Sequence, residues 1–182
     1  MQTKEDIALG RFLSLVLRHQ PQAAGITLDQ GGWANIDDLL KGICATDRKI
    51  DREILERIVR ENNKQRYVIS EDGQRIRANQ GHSIAVQLDL QQMTPPAVLY
   101  HGTARHFLDS IQKQGITRQQ RQYVHLSPDV ATARQVGSRH GAPVVLVIDT
   151  AAMYKDGLPF FQAANGVWLC QHVPWKYVLD IK

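Results

Sequence analysis

Arg18 and His19 close the apolar run FLSLVLRHQP, just ahead of Pro21. An arginine offers a planar fork of donors that stays charged at any working pH, and an imidazole can move a proton near neutrality. Side by side they could grip an anion. A helical period puts Arg18 in line with Arg11 and Ser14 and sets His19 above Leu15 and Val16, at the edge of the apolar face. The helix dipole by itself favours cations at a C-terminus, so the pair has a structural explanation beside the chemical one. Four later clusters mix histidine, glycine and hydroxyl residues at expected strand ends: YHGT (100–103), YVHLS (123–127), SRHGAP (138–143) and ANGVWLC (164–170). In YHGT, Gly102 would let the backbone approach a ligand while His101 and Thr103 supply hydrogen bonds. In YVHLS, strand alternation puts Tyr123 and His125 on one face. Each cluster alone is more readily read as a turn, loop chemistry or a satisfied strand histidine than as a site. The chain contains no P-loop, GxGxxG, HExxH or GxSxG.

These groups need elements to hold them. Residues 5–19 carry a helical pattern ended before Pro21. DQGGWANIDDLL then predicts a Gly31-Gly32 turn, a short strand at Trp33 and a helix capped by Asn35. A third helix is expected from about Asp51, with Ile54, Leu55, Ile58 and Val59 on one face, followed by two strands in RYVISEDGQRIRA joined through Asp72-Gly73. Helix, helix, helix, hairpin is the order of a winged-helix module, and such modules commonly bind DNA. After Asn79 the character changes. Residues 84–90 alternate as a strand would, and AVLYHGT reads as a strand. Further expectations are helices at about 104–114 and 128–137, a short strand at 123–126, the buried strand PVVLVID, and late strands around GVWLC and WKYVLDI. The expected fold class is therefore α+β, as two domains, 1–79 and 80–182.

The chain has 182 residues, of which 43% are hydrophobic and 22% charged, enough for one large or two small domains. No stretch is apolar for long enough to span a bilayer, and MQTKEDIALG lacks the order of a signal peptide, so the expected location is the cytosol with no membrane partner. Cys44 and Cys170 stand apart without a CxxC, which predicts buried free thiols and no structural zinc. The net charge of +4 suits an RNA or nucleotide partner. Arg57, Arg60, Lys64, Arg66, Arg75 and Arg77 crowd one stretch, although Glu56, Glu61, Glu71 and Asp72 dilute them as on a salt-bridged face.

Taken together, LSLVLRHQP, GGWANIDDLL, KQRYVI, RANQGHS, LYHGT, VHLS, VGSRHGAPVVLVID and NGVWLC resemble, in order and spacing, the NAD-dependent RNA 2′-phosphotransferases. The chain departs from that pattern at Tyr123, Ala164 and Cys170. The resemblance implies a winged-helix domain followed by an ADP-ribosyltransferase-like mixed α/β domain. It implies that Arg18, His19, Arg66 and Arg121 form the charged catalytic set. It also implies that His101, His125 and Val167 form a triad for NAD, with Gly102 and Thr103 beside it and Ser127, Arg139 and Gln80 as further candidates. The implied partners are NAD, as co-substrate, and RNA bearing an internal 2′-phosphate such as ligated tRNA. No metal and no protein partner are called for. The implied reaction moves that phosphate to NAD in two steps, through ADP-ribosylated 2′-phospho-RNA, releasing nicotinamide, 2′-hydroxyl RNA and ADP-ribose 1″,2″-cyclic phosphate. Two alternatives remain at this point: an ADP-ribosyltransferase that stops after the first step, and a non-catalytic winged-helix nucleic-acid binder.

Overall fold

The computed structural model describes residues 3–182. The chain divides into two compact units, the first ending at Asp89 and the second running from Leu90 to Lys182. Residues 80–89 pack with the first unit, ten residues beyond the Asn79 change of character. Their backbone is tied there by Ser83 N donating to Arg18 O (3.0 Å) and Gln87 N donating to Gln30 O (2.7 Å).

In the first unit, helix α1 (Lys4–Arg18) starts at Thr3, whose hydroxyl accepts from Asp6 N while the Asp6 carboxylate accepts from Thr3 N, a reciprocal capping box. Pro21 stops it and opens a 3-10 turn, Pro21–Ala24. Strand β1 (Trp33–Asn35) leads into α2 (Ile36–Cys44), capped as expected by Asn35, whose Oδ1 accepts from Asp38 N. Helix α3 (Arg52–Arg60) is capped by Asp51. Strands β2 (Tyr67–Ile69) and β3 (Arg75–Ala78) form the hairpin, turned at Gly73 with φ +70°. The three strands make an antiparallel sheet in the order β1-β3-β2. Leu13, Leu17, Ile36, Leu39, Leu55 and Ile58 meet behind it in the core.

In the second unit, β4 (Val98–Ala104) pairs along its whole length with β7 (Pro143–Asp149), and β11 (Val178–Ile181) flanks β7. Between them come α4 (Leu108–Gln114), β5 (Ile116–Thr117), β6 (Val124–Leu126) and α5 (Val130–Gly137). After β7 come α6 (Thr150–Lys155), β8 (Phe160–Gln162), β9 (Trp168–Cys170) and β10 (His172–Val173). Strands β6, β9 and β8 form a second antiparallel sheet, and β10 pairs with β5. Tyr100 and Ser127 exchange backbone hydrogen bonds and so join β4 to the end of β6.

The chain is thus a mixture of helices and small antiparallel sheets. Two expectations differ from it, and one helix has no expectation behind it. Residues 84–90 alternate in burial, with Val86 inside and Ala85, Gln87 and Asp89 outside, yet they form no regular strand because their backbone lies over the Gly31-Gly32 turn without a ladder partner. Cys44 is exposed, since α2 ends there, while Cys170 is buried as expected. Helix α6 has no apolar period long enough to announce it; Asp149, the last residue of β7, caps it through Ala152 N. No helix among the described residues is long and apolar enough to cross a membrane.

Candidate active site

Arg18 is the last residue of α1, and His19 is its cap at φ −130°, ψ −47°. Arg66 lies just before β2 rather than within it. Its backbone N and Nη1 both point at Asn62 Oδ1 (3.2 and 3.4 Å), and its carbonyl accepts from Asn79 N (2.9 Å). Asn79 Nδ2 in turn donates to Gln65 O at 2.6 Å. Tyr67, the first residue of β2, is 4% exposed, and its hydroxyl donates to Gly10 O and accepts from Ser14 Oγ. Burial pushes the Tyr67 phenol up, while the Ser14 bond and the fields of Arg18 and Arg66 pull it back. Both arginines therefore act on the Tyr67 hydroxyl electrostatically.

His82 is 1% exposed, and among the described residues neither ring nitrogen has a hydrogen-bond partner. Burial first, then Arg18, His19 and Arg77, lower its pKa to about 4. Arg18 thus acts on both buried side chains, with Arg66 acting on Tyr67 and His19 and Arg77 on His82. Gln80 stands half-buried between Asn79 and Gly81. A guanidinium group carries its charge at any working pH, so this surface suits a phosphate.

The second unit places His101 in the middle of β4, with its Nδ1 3.1 Å from His125 O on β6. For that contact to be a hydrogen bond, Nδ1 must carry the proton. Burial lowers the His101 pKa, the His125 bond raises it and Arg121 lowers it again, so the ring is held towards neutrality. Ser127 ends the same strand pair through its exchange with Tyr100. Val167 lies one step beyond the Trp168–Leu126 pair, at the level of Ser127, with its carbonyl accepting from Ala163 N. Arg121 is on the β5–β6 loop. Partial desolvation, then the field of Arg139, lower its pKa, and an anion beside it would relieve both costs.

Gly102 plays a different part from the one expected. Strand alternation puts His101 and Thr103 on the Leu99 face and Gly102 on the other. There a Cβ would lie 1.6 Å from Ala133 O and 3.0 Å from Gly137 N, so the missing side chain admits the backbone of α5. Gly137 repeats the device: its Cβ would lie 2.5 Å from Thr103 O.

The family described as RNA 2′-phosphotransferase, Tpt1 / KptA family, matches residues 4–172. The chain belongs to that family. It is 52% identical over 174 residues to a protein of Fusobacterium nucleatum subsp. nucleatum, covering 95% of this chain and 97% of the relative. It is 53% identical over 171 residues to one of Pseudomonas paraeruginosa (93% and 94% covered), and 49% identical over 176 residues to one of Escherichia coli O139:H28 (96% of each). All three relatives bear the name "Probable RNA 2'-phosphotransferase".

Within this family member, the supporting residues were harder to read from sequence than the cations they support. Asn62, Asn79, His82 and Ser83 contact or surround Arg18, His19 and Arg66. Only the RANQGHS motif signalled any of them. A depression of about 780 Å³ on the first unit, lined by Ala24, Leu28, Trp33, Asp38 and Lys41 among others, contains none of the predicted site residues. Among the described residues no cluster of His, Cys, Asp or Glu could hold a metal ion.

Proposed function

We propose that this chain is an NAD-dependent RNA 2′-phosphotransferase, with a winged-helix first unit and an ADP-ribosyltransferase-like second unit. It takes an internal 2′-phosphate from RNA, such as ligated tRNA, and acts in the cytosol. The observation that carries the reading is the clustering of Arg18 and His19 under the Gly81–Ser83 segment, with Arg66 beside Tyr67, in a member of this family.

In the first step a 2′-phosphate oxygen bonds to the anomeric carbon of the nicotinamide riboside as the bond to nicotinamide breaks, and nicotinamide leaves with that electron pair. Here the second unit orients the dinucleotide. His101, its Nδ1 proton engaged by His125 O, turns Nε2 outward as an acceptor, and His125, Ser127, Thr103, Arg139 and Val167 complete the surface. Alignment dominates this step, because the attacking phosphate is already charged. In the second step the neighbouring ribose hydroxyl attacks phosphorus and loses its proton. The RNA 2′-oxygen departs and takes up a proton. Negative charge then builds on phosphoryl oxygens, and Arg18, His19, Arg66 and Arg121 stabilise it. His19 also moves a proton.

The test mixes the purified protein with NAD and a short RNA labelled at an internal 2′-phosphate. Label recovered on ADP-ribose supports the phosphotransferase. Label retained on RNA that carries ADP-ribose would make the chain a one-step ADP-ribosyltransferase, and binding without reaction a nucleic-acid binder.

A further inference from the structure

Gly81, His82 and Ser83 run as a strap across the C-terminal end of α1. Ser83 N donates to the Arg18 carbonyl at 3.0 Å, one of the backbone acceptors a helix leaves open at its end. Ser83 Oγ lies 2.9 Å from His19 Nδ1. Gly81 sits at φ +89° against the Arg18 guanidinium, so close that a Cβ there would lie 3.5 Å from Nη1. His82 sinks into the unit, its Nε2 3.4 Å from the position a Cβ on Gly32 would take, and so pegs the strap in place. Three successive residues thus bear on Arg18 and His19 and on nothing else the reaction uses.

We propose that Ser83 is a positioning residue for His19, holding the imidazole by Nδ1 so that Nε2 is the atom presented to substrate. The inference rests on the phosphotransferase reading for what that presentation achieves. Without a partner, the ring of a histidine at a helix end can turn about a broad, roughly twofold torsion and exchange its two nitrogens. A hydroxyl removes that freedom without adding charge. With the proton on Nδ1 the hydroxyl accepts, and it still accepts when Nε2 has gained a second proton, so in that tautomer the bond survives the transfer; a ring protonated on Nε2 alone would instead take the hydroxyl proton at Nδ1. This is the task of the third member of a catalytic triad, carried out by a neutral group.

The experiment compares the parent protein with Ser83→Ala and Ser83→Thr. Nitrogen-15 NMR of labelled histidines, with the His19 signals assigned by their loss in His19→Ala, reports which ring nitrogen is protonated. The parent and Ser83→Thr are expected to hold His19 in the Nδ1–H form, and Ser83→Ala to release it to a mixture. In single-turnover reactions Ser83→Ala is expected to slow the second step roughly 5- to 10-fold, the worth of one net hydrogen bond, with the first step unchanged and Ser83→Thr near the parental rate. An unchanged tautomer in Ser83→Ala, equal slowing of both steps, or a threonine variant no better than alanine would each overturn the proposal. If the parent protein transfers no phosphate, the functional reading fails by itself and the tautomer alone decides the role of Ser83.

Discussion

In the first unit the cations stand where elements stop or start, Arg18 and His19 at the end of α1 and Arg66 just before β2. In the second unit His101 and His125 lie inside strands of two different sheets, joined by a side chain-to-backbone bond between them. The difference is one of electrostatics as much as of topology. The first unit keeps Arg18 and Arg66 at element ends, and the Asn62 side chain orients Arg66. An imidazole can be buried neutral, so a strand interior serves for His101. One region is suited to receive charge and the other to align a polar ligand.

Kinetics gives the largest test of that contrast. Alanine at His19 or Arg66 is expected to slow the second step by roughly 10²–10³, the usual cost of losing one preorganised donor to a developing oxyanion, so that ADP-ribosylated RNA accumulates on a gel. Arg18→Ala separates two roles: a residue that mainly anchors the phosphate would reduce both steps, and one that acts on the developing charge would slow the second alone. His101→Ala should weaken NAD binding and also slow both steps. Arg121 cuts across the partition, because it belongs to the second unit yet is assigned to the phosphoryl group. Its alanine variant should behave like His19→Ala, and behaviour like His101→Ala would reassign it to the dinucleotide.

The frameworks can be broken separately by filling a glycine in each. A Cβ on Gly42 would meet Ala24 O at 1.9 Å, and one on Gly102 would meet Ala133 O at 1.6 Å. Both contacts are with backbone, which must move, so Gly42→Ala and Gly102→Ala should each cost about 3 kcal/mol or more in urea unfolding. Gly157, at φ +85° with no atom within 4 Å of its Cβ position, is the control: its alanine variant should lose only about 1 kcal/mol, from backbone strain.

How far the sequence could be read follows the same physics. Caps and turns act over a few residues, so Asn35, Asp51 and Asp72-Gly73 marked their elements from the letters alone. The RH pair and the strand histidines stood out because their chemistry is visible in their type, and the family resemblance supplied Arg66 and Arg121. The partner of Gly102 could not be read, because it depends on which backbone packs against β4, a contact with α5 some thirty residues away. Residues 84–90 misled for a related reason. Alternating burial requires only that one side face the core, whereas a strand also requires a neighbour to bond, and nothing in the pattern reveals that neighbour. His82 lay in plain view inside RANQGHS, yet its burial depends on the fold.

Acid should also separate stabilising groups from catalytic ones. The folded-state pKa of His82 is about 4, below the ordinary value of 6.5, so the unfolded chain binds this proton more readily. Stability is then full above about pH 6.5 and falls as pH drops towards 4, by up to about 3 kcal/mol for this one group. His101, also lowered, contributes with the same sign. Urea midpoints measured at several pH values should show a shallower decline in His82→Leu than in the parent protein. Equal slopes would mean that His82 is charged, or freely hydrated, in the folded state.

The smallest expected effect falls on Tyr67, the residue that ties β2 to α1. Tyr67→Phe keeps the ring and removes only the hydroxyl, leaving Gly10 O and Ser14 Oγ without that partner. The cost to stability should be about 1 kcal/mol, the net worth of such bonds. Its value lies in where that small loss appears. Arg66 is the preceding residue in the chain and Ser14 lies one helical turn before Arg18, so the hydroxyl helps set the spacing of two arginines without touching the phosphate itself. A few-fold slowing confined to the second step, with NAD affinity intact, would show that the basic region depends on that spacing. If both steps keep the parental rate while stability falls, Asn62 and the Ser83 contacts hold Arg66 and Arg18 in place without the tyrosine.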